Sequence, residues 1–246
     1  MPDYFPIFEP KTYADLVKAL QQFAKTLPAP FDGLTSQQIA ANIVGTVVLP
    51  ATNNTARWDK TKPPNHYHTL AKNLDIYETQ LQASAPEFDD EEQWWIDCGL
   101  MATLVDKFNA GNCDDLASYA LNYAMQTFSN TLFCYTQHTA YNHSFLLVMR
   151  KGDEAPVLAD VWVSEDGAIP FQDALWCELA KKMKLRVMPV AVKAPGVGVI
   201  DAWKAHFGRT KLKAFDETDA EYPRHAQAGA YLHPSARRSA TNPRGL

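Results

Sequence analysis

The apolar pattern of this 246-residue chain changes period once, near residue 130, and that change restricts the fold more than any other feature. Before it, apolar residues recur at helical spacing; after it, they gather in short runs rich in β-branched and aromatic residues. Thr12, with Asp15 three residues on, opens a segment that carries Leu16, Val17, Leu20, Phe23 and Ala24, and Pro28 and Pro30 stop it. Thr35 and Gln38 have capping-box spacing ahead of Ile39, Ile43, Val44 and Val47, and Pro50 closes that helix. A polar stretch over 52–64 reads as a loop. Leu70, Leu74, Tyr77 and Leu81 mark a third helix ending near Pro86, and Asp89 or Asp90 caps a fourth that carries Trp95, Leu100, Leu104 and Phe108. Residues 109–112 interrupt the pattern, and Cys113 opens a fifth helix with Leu116, Tyr119, Ala120, Tyr123 and Phe128 on its buried face.

Beyond residue 130, the runs 131–137, 143–149, 157–163 and 186–192 predict strands, antiparallel where the links are short, with a hairpin loop over 150–154. Helices are expected over 171–183 and 200–207. The fold class expected is α+β: one domain over 1–216, mainly helical in 1–108 and helix plus antiparallel sheet in 109–215. From 217 to 246 the periodicity stops and Pro223, Pro234 and Pro243 recur, so this tail is expected to be extended or mobile. Arg237, Arg238 and Arg244 make its end basic, which reads as solubility.

Composition removes several classes. Hydrophobic residues are 46% and charged residues 21%, and no apolar run approaches the roughly 20 residues of a bilayer span, so no membrane segment is expected. With 23 basic and 28 acidic residues the net charge is −5, which argues against a broad nucleic-acid surface. The first residues lack a basic stretch followed by an apolar run, so the expectation is cytoplasmic residence or export without a cleavable signal peptide. Cys98, Cys113, Cys134 and Cys177 contain no Cys-x-x-Cys pair, and reduced thiols are expected. His66 and His68 have no third ligand in view, and the two glycines of 195–199 lack the helix and acidic residue of a dinucleotide site, so neither metal nor cofactor is expected.

One constellation carries chemistry. Cys113 stands at a helix start, where unpaired N–H groups and the helix dipole lower a thiol pKa, and Gly111 is expected to let the chain turn tightly into that helix. Asp114 and Asp115 oppose a thiolate unless they point away from the sulfur. His143 opens one strand and Asp160 lies toward the end of the next; an antiparallel pairing brings the start of one beside the end of the other. Cys113 as nucleophile, His143 as base and Asp160 as orienter form a triad in sensible structural places. Competing readings are a buried thiol for Cys113, surface polarity for His143, a strand-end turn for Asp160 and core packing for Trp162. His138, five residues before His143, is a rival base, but its polar neighbours read as a solvated loop, and His138→Ala is expected to keep most activity. Cys98, Cys134 and Cys177 sit among apolar neighbours, as core thiols do.

Gly111-Asn112-Cys113 at a helix start, His143 followed by Phe145 and an aliphatic strand, and Asp160-Val161-Trp162 together resemble the papain-like and transglutaminase-like Cys-His-Asp superfamily, including bacterial effector cysteine proteases and deamidases. The resemblance spans 109–162. It implies a papain-like or transglutaminase-like α+β fold with the catalytic helix packed on the sheet. It further implies Cys113 attack on an amide or ester carbonyl of a protein or peptide substrate through a thioester, without cofactor: protease, glutamine deamidase or transglutaminase-like enzyme, as in an effector or toxin. The superfamily's Asp-Pro-Trp has Val161 in place of Pro, and no glutamine stands between Leu100 and Asn112 to bind the oxyanion. The Cys113 backbone N–H is then one oxyanion donor, and Asn109, Asn112 or a distant side chain the other. The alternatives are a non-catalytic binding protein on the same scaffold and an acetyltransferase on a related one. Oligomeric state is left open.

Overall fold

A computed structural model describes residues 2–55, 60–62, 64–83, 90–163, 167–179, 184–201 and 203–205. The tail over 217–246 with its prolines and arginines, the cap at Asp89 and the helix end near Pro86 lie outside these. The chain divides into two compact units, Met1–Val48 with Ala120–Gly198, and Leu49–Tyr119 with Val199–Leu246. The architecture is α+β with an antiparallel sheet. No helix among the described residues is long and apolar enough to cross a membrane.

The first unit holds the sheet. Its strands are β1 (Asp3–Tyr4), β2 (Thr131–His138), β3 (His143–Met149), β4 (Val157–Ala159), β5 (Ala168–Pro170) and β6 (Leu185–Val192), in the order β1-β6-β2-β3-β4-β5 with every pairing antiparallel. β3 is buried throughout and β2 everywhere except Gln137, so both faces of the central strands are covered, which explains their nearly unbroken apolar runs. The run over 157–163 becomes a strand of three residues only, because Asp160 turns the chain out of the sheet. β1 and β5 are too short to carry a periodic signal of their own.

Two helices of this unit begin as their caps dictate. Thr12 accepts a hydrogen bond from Asp15 N at 3.1 Å to start α1 (Tyr13–Ala24), which buries Leu16, Leu20 and Ala24. Thr35 and Gln38 form a reciprocal capping box at the start of α2 (Ser36–Thr46), burying Ile39, Ala40 and Ile43. Phe23 of α1 stacks on Phe5 with ring centroids 4.4 Å apart, tying the helix to the segment after β1. The expected helix over 171–183 is instead a 3-10 turn, Phe171–Asp173, a break at Ala174 with ψ 143°, and a five-residue α6 (Leu175–Leu179); residues 180–183 lie outside the described set.

The second unit contains α3 (Pro64–Ala83), α4 (Asp90–Phe108), the first residues of α5 (Cys113–Thr127) and helical residues at 199–201 and 203–205. Among the described side chains of α3, Tyr67, Ala71 and Leu74 are buried and Leu70 is half-buried, those of Tyr77 and Leu81 lying outside the described set; Ile96, Leu100, Leu104 and Val105 are buried in α4, while Trp95 and Phe108 are half-buried. The boundary between units falls inside α5. That helix buries Leu116, Ala117, Ala120, Leu121, Ala124 and Met125, more than the single expected stripe, while Tyr119 and Tyr123 stay half-buried. Tyr123 is there because its hydroxyl donates to Asn42 Oδ1 at 2.7 Å, and a tyrosine that keeps a polar partner seldom goes fully into a core.

Candidate active site

The register of β3 on β4 pairs Leu147 with Leu158 and Leu146 with Ala159. Opposed residues of an antiparallel pair share a face, and side chains alternate along each strand. His143, Phe145, Leu147 and Leu158 therefore share one face, and Asp160, two residues beyond Leu158, falls on the same side. His143 and Asp160 become diagonal neighbours, within reach of each other. The structure brings them together: His143 Nε2 lies 2.7 Å from Asp160 Oδ2, with the side chains 4% and 0% exposed.

Asp160 is held from several directions. Its Oδ2 also accepts from the Trp176 indole Nε1 at 2.8 Å, and its Oδ1 accepts from Trp162 N at 3.0 Å. The last bond is an Asx turn, so the strand-end turn reading of Asp160 and the orienting reading are both realised, one on each oxygen. The Asp160 N–H donates to Gly167 O at 2.7 Å. A Cβ on Gly167 would stand 2.5 Å from Asp160 O and 2.9 Å from Val44 Cγ1, so glycine is what allows that segment to approach Asp160. The imidazole of His143 lies against Trp176 (centroids 4.1 Å apart, planes at 31°) and Trp162 (5.0 Å, 60°). An ionised carboxylate can only accept, so Nε2 of His143 carries the proton and Nδ1 is the ring's basic nitrogen. The sequence carries no sign of Trp176. It stands on a helix too short for periodicity, 16 residues from Asp160 in sequence, and nothing local marks it.

His138 corrects the sequence reading. It is no solvated loop residue but the last residue of β2, directly opposite His143 in the ladder and 1% exposed. The four-residue link after it closes with Tyr141 N donating to His138 O at 3.1 Å and with Asn142 at φ 47°, so the hairpin is tighter and the strand longer than local polarity suggested. Its ring packs edge-on to Tyr141 at 4.7 Å, and neither ring nitrogen has a hydrogen-bond partner among the described residues. Burial, opposed by the ring's approach to its own backbone and reinforced by His143 and Lys184, pushes its pKa down to about 4, so it is neutral at pH 7.

Cys113 belongs to the second unit, as the first residue of α5, and is 2% exposed. The positive-φ residue of the turn into that helix is Asn109, at φ 52°, where Gly111 had been expected to serve. Gly111 is needed for a different reason: a Cβ there would stand 2.6 Å from Asp115 Cβ and 3.0 Å from Val105 Cγ2. Asn112 is the N-cap, its Oδ1 accepting from Asp114 N at 2.8 Å and Asp115 N at 3.1 Å, while Asp115 Oδ2 accepts from Asn112 N at 2.9 Å. The carboxylate of Asp115 is thus committed to the cap. The carboxamide oxygen of Asn112 is likewise committed to the cap, and Asn109 is exposed.

The remaining cysteines divide. None of the four is in a disulfide. Cys98 and Cys134 are wholly buried, and burial pushes both thiols far above their ordinary range, as inert core sulfur requires. Cys177 is only half-buried; burial first, then Asp173, raises its pKa. No group of three or more metal-ligating side chains occurs among the described residues, His66 and His68 included. Compared with known proteins, the chain matches no family model, no curated protein and no solved structure.

Proposed function

We propose that the chain is a cysteine-dependent enzyme of amide acyl chemistry, with Cys113 as nucleophile, His143 as general base and then acid, and Asp160 as orienter, on a papain-like or transglutaminase-like scaffold. The observation that carries the reading is the buried His143–Asp160 bond of 2.7 Å through Nε2, which fixes the tautomer with Nδ1 basic. A histidine kept for packing alone has no need of a fully buried carboxylate that is itself held by an indole N–H and a backbone N–H.

The Cys113 proton passes to His143 Nδ1, and the thiolate attacks the substrate carbonyl carbon to form a C–S bond. The imidazolium, stabilised by Asp160, protonates the departing nitrogen as the C–N bond breaks, leaving a thioester. His143 then takes a proton from water, whose hydroxide attacks the thioester and releases the acid and the thiol; an amine in place of water gives transamidation. Backbone N–H of Cys113 is one donor to the oxyanion. Substrates are protein or peptide amides, the side-chain carboxamide of glutamine among them, as for an exported effector.

The test is to mix the protein with p-nitrophenyl acetate, quench in acid and map acetyl adducts by peptide mass spectrometry. Acetyl on Cys113, absent from Cys113→Ala and strongly reduced in His143→Ala, is the expected result; acetylation that ignores both substitutions refutes the proposal. Glutamine peptides then sort the chemistry by ammonia release, amine incorporation or chain cleavage.

A further inference from the structure

A buried imidazole with both nitrogens unpartnered is costly, and such a group calls for an explanation beyond packing. His138 is that group, and its position is specific. It is the direct cross-strand partner of His143, on the same face of the sheet, at the end of the β2–β3 hairpin. A leucine or phenylalanine there would pack against Tyr141 without stranding polar atoms. A second base beside His143 is also a poor account, because an imidazole of such low basicity takes up little charge at neutral pH. What a neutral imidazole does offer is one N–H donor and no positive charge to compete with the imidazolium that forms on its neighbour. A neutral histidine can polarise a carbonyl in this way.

We infer that His138 is a catalytic residue that donates its ring N–H to the substrate's carbonyl oxygen, serving as an oxyanion donor. The role rests on the acyl chemistry proposed above. It fills the place that the missing upstream glutamine leaves in the sequence, and it reverses the expectation that His138→Ala is nearly silent. Because the donor is held by the hairpin and already dry, it needs little reorganisation as charge develops on the oxygen, the condition under which one such donor is worth about 10²–10³ in rate.

The experiment compares two reactions of Cys113 in the full chain: acetylation by p-nitrophenyl acetate, which develops an oxyanion, and alkylation by iodoacetamide, which does not. His138→Leu is expected to slow acetylation about 100-fold and leave the alkylation rate unchanged, with His138→Gln, which keeps an N–H, recovering a substantial part. Thermal unfolding of the leucine variant is expected at or above the parent temperature, since it removes two unpartnered nitrogens. Acetylation within about threefold of the parent, or a fall matched by an equal fall in alkylation, overturns the donor role. Failure of the underlying triad looks different: His143→Ala would then leave both reactions of Cys113 unaltered.

Discussion

Strand β3 has a buried charged group at each end. At one end Arg150, 2% exposed, uses all five of its N–H groups. Nη1 and Nη2 grip Asp32 at 2.5 and 2.6 Å, and each also reaches a carbonyl, Leu34 O at 2.6 Å and Ser129 O at 2.9 Å, while Nε donates to Thr131 Oγ1 at 3.2 Å. At the other end Asp160 is equally well held, yet His143 spends only Nε2 on it, and His138 beside it spends nothing. The first network is saturated and joins three chain segments, as a staple does. The second fixes one nitrogen and leaves hydrogen-bonding capacity on the same face. The two networks at the ends of one strand thus differ in what they leave undone, and only the unfinished one is suited to chemistry.

Paired substitutions can break that contrast. The largest effect is expected from Asp160→Asn, which supplies an amide where the imidazole needs an acceptor: acetyl turnover should fall about 10³-fold or more in a protein that still unfolds cooperatively. Asp32→Asn, the matching change at the other end, should leave turnover per folded molecule unaltered and cost stability instead. Breaking a fully buried pair costs about 3–5 kcal/mol, but Asp32 is 26% exposed and Arg150 retains its other acceptors, so about 2 kcal/mol is expected from urea unfolding. The pair also carries a pH signature. The Arg150 hydrogen bond holds Asp32 down at about 2 against an ordinary 3.8, so its stabilisation is complete above 3.8 and is lost as the pH falls through about 2. Asp32→Asn should flatten that part of the acid unfolding profile. A large loss of turnover in folded Asp32→Asn would erase the distinction between staple and site.

The sequence made legible those features that are local or periodic. The caps at Thr12 and Thr35 and the antiparallel β3–β4 pair that joins His143 to Asp160 follow from spacing alone. What escaped it depends on distant chain. Trp176 reaches Asp160 from a separate helix, and no periodic pattern announces a single indole N–H. His138 is polar among polar neighbours, so only the ladder to β3 and β6 reveals that it is buried. At the turn before Cys113 the positive φ falls on Asn109, and the tight entry that glycine permits at Gly111 shows as the close packing of Asp115 and Val105, which no local pattern reveals. The edge strands β1 and β5, two and three residues long, are too short to show a period and are defined only by their pairing with β6 and β4.

The central claim, that His143 activates Cys113, is tested most directly by the pH dependence of iodoacetamide alkylation at each cysteine. Half-buried Cys177 serves as the internal reference, and buried Cys98 and Cys134 as the inert ones. The account predicts that Cys113 reacts at least tenfold faster than Cys177 at pH 6–7, and that His143→Ala removes this advantage and moves the rise of its rate to alkaline pH. A Cys113 that labels no faster than Cys177, or whose profile is the same with and without His143, would contradict it.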